Sequence, residues 1–519
     1  MKRDLWWIAI VGLLVQAFWM LRLEHPTYFD AYYYTINAQR LAAGYGFTEM
    51  VIWHYLDDPV GLPQPSFTYW MPLPSLLAAV GYLFDDSFRA AQIPFWLLAG
   101  LLPCLSYLIC WRLRPLPRLA RIAALLTAAG GYYTAYWVQP TTFALFAWTG
   151  GGCLLALAWA AAEPHWRWWL LAGLAAGLSH LARADGLLLL PVAGLVWLGC
   201  WYGVEEGKRP FLIQRLLSNG LIFTGGYLLI MGGWFWRTWQ VTGRPLSHVG
   251  MQTIFFTEYN ELFSYGRTFT LESYLASGWH HILSSKLTAL SLAVQTFIVL
   301  TGFTVFTFLL VWAWWVLGRQ RESGVWLRPF TFYTFILYLS MPLIFTYPGQ
   351  RGSLLHSSTA LWPWAMALAA IGLDLAVDWI AVRRPSWQPG PAKQFFAVTL
   401  VGLAYLLSLV VALPQPLRQE ETAVYRQIGH QLPPGTIVMT TDPAGLHYHS
   451  GLPAIMVPYE PPDVVLQAAQ RYGAVYLLLD DQPPPPLANI YQNPHQDSAF
   501  KHQENLTEKF QLYRLIFTE

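Results

Sequence analysis

Asp30 is the first side chain of this sequence whose position suggests chemistry. It lies seven residues beyond the first apolar run, which ends at Leu23, and aromatic residues flank it in the sequence. A carboxylate among aromatic residues at a membrane surface is difficult to keep ionised unless a cation or a reacting group uses it. Asp30 could therefore be a general base that deprotonates a hydroxyl, or it could cap the helix that begins here. The residues alone leave both roles open, and the two are compatible.

Further ionisable side chains follow in the same segment, at Glu49, His54, Asp57 and Asp58. They could assist a base at Asp30, contact an acceptor, or bind a divalent metal ion together with His54. The alternative is that they are ordinary loop residues, and the residue types favour it. Because their spacing is not that of a metal site, no cofactor is assigned and a divalent metal ion stays open.

Two arginines later in the chain could hold an anionic group such as a phosphate. Arg351 is flanked by Gly349 and Gly352 and is predicted to begin a helix that re-enters the membrane, so its guanidinium and the free helix amides could bind an anion together. His356 follows about one turn later and could add a donor. Arg237 stands at the end of another apolar run, where arginine is as typical of an interface anchor as of a binding site.

The elements that position these residues belong to a membrane protein. Of the 519 residues, 55% are hydrophobic and only 12% are charged. Apolar stretches of about 17 to 25 residues can cross a bilayer as helices. Such stretches fall near 5–23, 90–111, 118–138, 141–162, 216–236, 287–317, 329–346, 358–380 and 394–413, and the run 168–203 divides into two. The sequence therefore predicts an α-helical polytopic protein with about eleven transmembrane helices.

The division of the run 168–203 falls at Arg183 and Asp185. Charged residues inside an apolar run are expensive in a membrane unless they pair. We therefore expect these two side chains to neutralise each other and to shape the helix bundle, rather than to act in catalysis.

Charge decides which connections face outward. The segment 69–84 is apolar, but it is short and carries two prolines near its start. If it crossed the membrane, the arginines of residues 112–121 would lie opposite Lys2 and Arg3, against the positive-inside rule. We therefore place it at the outer interface of a cell membrane, with the N-terminus in the cytoplasm. The external parts are then residues 24–89 (the first loop), 237–286 (the second loop) and 414–519.

Two domains follow from this arrangement, a transmembrane domain of residues 1–413 and an extracytoplasmic α/β domain of residues 414–519. The second domain is polar and proline-rich. Asp442 comes directly after its first strand-like run, where we expect a turn and a helix cap. The strand-like runs are 436–441, 454–458, 474–480 and 510–517, and a helix-like segment covers 461–472.

Several features, in this order, resemble the GT-C glycosyltransferases. They are Asp30 directly after the first membrane helix, the tyrosines Tyr32, Tyr33 and Tyr34, the run from Ala38 to Gly46, and the proline-rich segment 69–74 before the next span. The likeness is closest to bacterial relatives of the protein O-mannosyltransferases and the lipid A aminoarabinose transferases, and the sequence resembles glycosyltransferase family 39. The resemblance implies a GT-C fold and a role for Asp30 as the catalytic carboxylate. Weaker similarity covers 181–186, 237–246 and 351–363.

The predicted activity is that of an inverting glycosyltransferase. It would move a sugar from a polyprenyl-phosphate-linked donor to an acceptor hydroxyl of a protein, lipid or glycan on the external face, with Asp30 as general base. Aromatic residues such as Tyr32 and Tyr33 would stack on the sugar. The absence of a nucleotide-binding glycine loop in the cytoplasmic segments fits a lipid-linked donor. Beyond membrane lipids and these substrates no partner is expected, and the net charge of +2 gives no reason to expect nucleic-acid binding.

The alternative is a polytopic transporter or flippase of a lipid-linked or small polar substrate. Transporters tend to show internal repeats, paired broken helices and charges near the midplane. In this sequence the polar residues gather in the external loops instead, and a large first loop has no evident use in transport.

Overall fold

The computed structural model describes residues 1–163, 165–200, 209–384, 386–414 and 419–517. It begins with the apolar helix α1 (Lys2–Leu21). The first loop then forms α2 (Phe29–Ala42), β1 (Thr48–Glu49), β2 (Val51–Ile52), β3 (Gln64–Pro65) and α3 (Leu73–Tyr82). At about 1.5 Å per residue, the ten-residue helix α3 is too short to cross a bilayer, and it packs between α2 and the next long helix.

The helix bundle occupies most of the chain. Its first half comprises α4 (Phe88–Leu113), α5 (Pro117–Ala129), α6 (Thr142–Ala162), α7 (Trp166–Ala182), α8 (Leu189–Gly199) and α9 (Arg209–Thr242). The second loop carries α10 (His248–Gln252) and α11 (Leu271–Ala276). The second half comprises α12 (Trp279–Leu300), α13 (Phe303–Gly318), α14 (Arg321–Leu343), α15 (Thr346–Pro348), α16 (Leu354–Ser357), α17 (Trp362–Arg383) and α18 (Pro389–Ala412). Helices also occupy both ends of the second loop, because α9 continues to Thr242 and α12 begins at Trp279.

In the part of the chain that the structure describes, seven helical stretches are long and apolar enough to cross a membrane. They are α1, α4, α6, Leu216–Thr242 within α9, α12, the stretch Thr346–Arg383 and α18, and shorter apolar helices accompany them. The predicted polytopic helical architecture is confirmed. The number of about eleven spans requires that shorter helices also cross, and it stays a prediction.

One predicted span is interrupted. The apolar stretch 287–317 is divided into α12 and α13 at Gly302, whose φ of 101° lies in the left-handed region. A helix cannot continue through that conformation, which glycine adopts without a steric penalty. The continuous hydrophobicity of the stretch concealed the break.

The remaining chain forms the predicted α/β region. Its elements are α19 (Gln419–Gln431), β4 (Ile437–Thr440), α20 (Pro443–Ser450), β5 (Ala454–Met456), α21 (Pro462–Tyr472), β6 (Ala474–Leu479), α22 (Ala488–Gln492), β7 (Phe500–Asn505) and β8 (Gln511–Leu515). As expected, Asp442 caps α20 by accepting a hydrogen bond from the Gly445 amide at 2.9 Å. The strand β7 was not predicted, because its polar sequence leaves every second side chain outside the core.

The six-stranded sheet has the order β2-β5-β4-β6-β8-β7, so its first strand comes from the first loop. Strands β2, β5, β4 and β6 are parallel, and β8 and β7 are antiparallel. Beside the sheet, Asp58 pairs with Arg471 at 2.7 Å, and Tyr472 donates its hydroxyl to the Pro59 carbonyl at 3.0 Å. The first loop and the C-terminal region therefore share one sheet and one core.

Candidate active site

A cavity of about 460 Å³ lies where the first loop, the α7–α8 connection, the second loop, residues 341–356 and the end of the sheet meet. The charged and titratable side chains on its wall include Asp30, Arg183, Asp185, Arg351 and His356. Its aromatic lining includes Phe29, Tyr34, Trp53, Tyr69, Trp70, Phe256, Tyr259, Phe263, Phe345 and Tyr347. The cavity therefore combines ring faces, which suit a sugar or an isoprenoid, with both signs of charge.

Asp30 lies in the first turn of α2 and faces this cavity. The N-cap position is Tyr28, so Asp30 is not the helix cap that the sequence allowed. Its Oδ2 atom lies 3.5 Å from Nε2 of His356, and 23% of its side chain is exposed. Burial raises the pKa of Asp30 to about 6, and the positive charge of Arg183 partly offsets that effect. Asp30 is therefore mostly ionised at pH 7, with a pKa near the value that suits a general base.

His356 is held by residues on the opposite side of its ring. Its Nδ1 atom lies 2.6 Å from the Thr142 hydroxyl, and its ring stacks on Phe143 with centroids 4.0 Å apart. Since Thr142 occupies Nδ1, Nε2 is the nitrogen that remains for Asp30. The first residues of α6 thus orient the histidine at the base.

Arg183 and Asp185 form the predicted ion pair, with Nε and Oδ2 2.6 Å apart. The pair also anchors the segment around α16, because Arg183 donates to the Ser353 hydroxyl at 2.9 Å and Asp185 accepts from Ser357 at 2.8 Å. Both side chains face the cavity, and the charge of Arg183 acts on Asp30. The sequence had assigned this pair to the bundle alone. The sequence signal that could have indicated this position is the interruption of an apolar run by two charges just before the connection between α7 and α8.

Arg351 also lies on the cavity wall, where it binds the second loop. Its Nε donates to the Tyr259 carbonyl at 2.7 Å, and a terminal nitrogen donates to Asn260. The guanidinium lies over the rings of Tyr259 and Phe263, 3.7 and 4.6 Å from their centroids. It does not begin a regular helix as predicted, since residues 349–353 form an irregular turn with a positive φ of 135° at Gly352.

The two tyrosines expected to stack on the sugar lie outside the cavity lining. The Tyr32 hydroxyl lies 3.2 Å from His25 Nδ1 and 3.0 Å from His449 Nε2, where α2 meets the C-terminal region. The Tyr33 hydroxyl accepts a hydrogen bond from the Phe67 amide at 3.1 Å inside the first loop. Their neighbour Tyr34 lines the cavity instead, because successive side chains of a helix point in different directions.

Glu49 is buried behind α2, outside the cavity lining, and only 2% of it is exposed. Its Oε1 accepts a hydrogen bond from Gln64 at 2.8 Å, and its Oε2 lies 3.5 Å from the Asn37 amide nitrogen. Burial raises the pKa of Glu49 to about 8. Glu49 is therefore mostly neutral at pH 7 and joins parts of the first loop.

His54, Asp57 and Asp58 also lie outside the cavity lining. His54 is buried with Nδ1 3.4 Å from Asp57, and burial lowers the pKa of His54. Asp58 is engaged by Arg471. Among the described residues, no three or more His, Cys, Asp or Glu side chains form a group that could hold a metal ion. In the cavity, Asp185 is engaged by Arg183, so the donor set does not fit a resident metal and no step below uses one.

Arg237 supports the first loop from α9 and is absent from the cavity lining. Its guanidinium donates to the carbonyls of Ser66 at 2.6 Å and Phe47 at 3.4 Å. It also lies over the Trp234 ring, 4.7 Å from the centroid. Of the sequence-predicted residues, the structure therefore brings Asp30, Arg351 and His356 to one cavity and places the others around it.

Comparisons with known proteins address the fold. No family model matches the sequence, and no curated protein matches it. The crystal structure of ArnT from Cupriavidus metallidurans bound to undecaprenyl phosphate matches with a TM-score of 0.56 and 15% identity, over 98% of this chain and 98% of that chain. The archaeal oligosaccharyltransferase AglB from Archaeoglobus fulgidus, in complex with an inhibitory peptide and a dolichol-phosphate, matches with a TM-score of 0.53 and 11% identity, over 92% and 69%.

The chain has the GT-C fold. The apo form of the Archaeoglobus fulgidus oligosaccharyltransferase agrees, with a TM-score of 0.50 and 11% identity over 91% of this chain and 69% of that chain. At these identities the likeness concerns the arrangement of helices and external elements. It confirms the fold that the sequence predicted. The chemistry must be inferred from the residues of the cavity.

Proposed function

We propose that the protein is an inverting glycosyltransferase that moves a sugar from a polyprenyl-phosphate-linked donor to an acceptor hydroxyl, with Asp30 as general base. The observation that carries the proposal is a buried carboxylate with a pKa of about 6, beside His356 on the wall of an aromatic cavity. The fold supports it, because the similar ArnT structure holds undecaprenyl phosphate and the similar AglB structure holds dolichol-phosphate.

The reaction is a single displacement. Ionised Asp30 takes the proton of the acceptor hydroxyl while that oxygen attacks the anomeric carbon of the sugar. The bond between the anomeric carbon and the phosphate oxygen breaks, and the polyprenyl phosphate leaves with the electron pair. Because the nucleophile enters opposite the leaving group, the anomeric configuration inverts. General base catalysis of this kind contributes about 10² to 10⁴ in rate.

The leaving phosphate needs positive charge, and two arginines of the cavity wall can supply it. Arg183 is held by Asp185 and Ser353, so its guanidinium is oriented before substrate binds. Arg351 is fixed by the second loop. We assign the phosphate to these two residues, since oriented cations stabilise developing charge without reorganising. The rings of Tyr34, Tyr69 and Trp70 then remain for the sugar.

The orientation in the membrane follows the basic residues. We place the N-terminus in the cytoplasm and the cavity, the two loops and residues 414–519 outside the cell membrane, as the positive-inside rule requires. In this arrangement the donor reaches the cavity from the outer leaflet, and the acceptor reaches it from the external solution or the same leaflet.

A transfer assay with purified protein tests the proposal. A panel of polyprenyl-phosphate-linked hexoses and pentoses serves as donors, with a membrane and envelope extract as acceptor. Asp30→Asn should lower the rate by about 10² to 10⁴. Glu49→Gln is the matched control, because Glu49 is a buried carboxylate of the same loop outside the cavity, and it should keep its activity. Full activity of Asp30→Asn would remove Asp30 as the base, and movement of the lipid-linked sugar across vesicles without transfer would indicate a transporter.

A further inference from the structure

The sheet reverses its order of connections at one point, and that point faces the cavity. After β4 the chain crosses to β5 on one side, whereas β6 lies on the other side of β4 and leads away to β8 and β7. In open parallel sheets, ligands bind outside the carboxyl ends of the two strands that flank such a reversal. Here these strands are β4 and β6.

The residues directly after these two strands touch each other. Thr441 follows β4, Asp480 follows β6, and the Thr441 hydroxyl donates to Asp480 Oδ2 at 2.8 Å. Thr441 lines the cavity that contains Asp30, and so does Met456, the last residue of β5, whereas Asp480 is not part of that lining. The carboxyl edge of the parallel strands therefore reaches the wall of the candidate active site through Thr441 and Met456.

Neighbouring contacts tie this edge to the rest of the cavity. The Tyr459 amide donates to the Phe263 carbonyl at 3.2 Å, which joins the segment after β5 to the second loop. Burial raises the pKa of Tyr459. The charge of Arg351 lowers this pKa, and the charge of Asp480 raises it. The rings of Phe263 and Tyr459 also meet, with centroids 5.4 Å apart, and Phe263 lines the cavity.

The chemistry of the pair selects its ligand. Thr441 gives its only hydroxyl proton to Asp480, so at the cavity wall its hydroxyl can offer only lone pairs to a bound molecule. The second oxygen of Asp480 accepts the Gln482 amide at 3.0 Å, which holds the carboxylate in place. Acceptors without donors, next to a negative charge, disfavour a phosphate and suit a molecule that carries hydroxyl groups. The adjacent rings of the second loop suit the apolar faces of a sugar.

We propose that Thr441, oriented by its hydrogen bond to Asp480, forms the acceptor subsite of the cavity, and that the acceptor is a carbohydrate with a hydroxyl group that donates to Thr441. The role of the bound carbohydrate as acceptor rests on the proposed function. The binding of the carbohydrate itself does not depend on catalysis. The C-terminal region thereby determines acceptor specificity, while Asp30 and the arginines serve the donor and the transfer.

Kinetics of two variants test the proposal. Asp480→Asn and Thr441→Val should raise the KM for a carbohydrate acceptor about tenfold to hundredfold, since each loses a hydrogen bond that involves or supports a charged group. The kcat and the affinity for polyprenyl phosphate should stay within twofold of the wild type. Asp481→Asn is the matched control, because Asp481 is the next carboxylate along the chain and is exposed, whereas Asp480 is half-buried and holds Thr441. Thr441→Ser keeps the hydroxyl and should restore the wild-type KM.

A binding measurement tests the carbohydrate subsite independently of whether the protein transfers a sugar. A panel of soluble neutral oligosaccharides is titrated against wild type, Asp480→Asn and Asp481→Asn by saturation-transfer NMR, with the thermal unfolding midpoint as a check of folding. Loss of binding only in Asp480→Asn supports the subsite even if no transfer is found. Equal binding by all three proteins, an unchanged KM in the variants, or equal use of a hydroxyl-bearing peptide as acceptor would overturn it.

Discussion

Asp30 and Glu49 are two buried carboxylates of the same loop, and they differ in what surrounds them. Glu49 faces Gln64 across the β1–β3 pair and is enclosed behind α2. Asp30 lies on the cavity wall, 3.5 Å from His356 and within reach of the charge of Arg183. Burial raises the pKa of both, to about 8 for Glu49 and to about 6 for Asp30.

The comparison shows that a raised pKa by itself marks burial rather than catalysis. Glu49 has the larger shift, yet amide side chains surround it and it does not line the cavity. The charge of Arg183 partly offsets the effect of burial on the pKa of Asp30, and Asp30 lines the cavity. Arginines act on both carboxylates, so access to the cavity is what separates Asp30, our proposed base, from Glu49.

Of the variants considered, Glu49→Gln should cause the largest effect, and the effect is on the pH dependence of stability rather than on activity. The folded protein keeps the proton of Glu49 up to about pH 8, whereas the ordinary pKa is 4.5. The stability from this proton is present below pH 4.5 and is lost as the pH rises through 8, by about 1.4 kcal/mol for each unit and about 5 kcal/mol in total. In detergent, the thermal unfolding midpoint of the wild type should fall as the pH rises from 4.5 to 8, and the midpoint of the variant should depend less on pH. Parallel curves would contradict a buried neutral Glu49.

Asp30→Asn should stabilise the protein at neutral pH while it lowers the transfer rate by about 10² to 10⁴. The pKa of Asp30 rises from the ordinary 3.8 to about 6, so holding the ionised carboxylate in the folded state above pH 6 costs about 3 kcal/mol. The neutral amide avoids this cost, and the unfolding midpoint at pH 7.5 should rise. A lower midpoint would mean that the ionised Asp30 stabilises the fold. Asp30 would then be a structural residue like Glu49.

The pH dependence of transfer should report Asp30 alone. The base acts when deprotonated, so the rate should fall about tenfold for each pH unit below about 6, to about a hundredth of the plateau at pH 4. The same acid limb is expected in Glu49→Gln, measured with saturating donor. A shift of the acid limb of the pH–rate profile in Glu49→Gln would mean that the ionisation of one carboxylate affects the other.

Much of the architecture could be predicted from the sequence because it depends on local properties. The apolar length of a segment indicates a membrane helix, and alternating or β-branched runs indicated the strands β4, β5, β6 and β8. Two features escaped this reasoning. The two-residue strand β2 is too short for any periodicity, and the break between α12 and α13 depends on the backbone conformation of Gly302.

The site was predictable only in part. Asp30, Arg351 and His356 could be selected because each combines an ionisable side chain with a position at the end of an apolar segment, and the structure brings them to one cavity. The predicted ion pair of Arg183 with Asp185 is present, but the sequence did not indicate that both side chains line the cavity, because an ion pair in a helix bundle has an adequate structural explanation. Tyr32 and Tyr33 were preferred over Tyr34, since the sequence does not show which face of α2 is turned to the cavity.

By itself, the sequence determined that this is a polytopic membrane protein with a carboxylate directly after its first helix, since hydrophobicity along the chain is a local quantity. Only the tertiary structure decided which of the carboxylates in the first loop faces a cavity, that Arg183 lies near Asp30, and that Thr441 closes the same wall. The physical reason is that burial, electrostatic fields and hydrogen-bond partners come from segments hundreds of residues apart. No local pattern records which of those segments will meet.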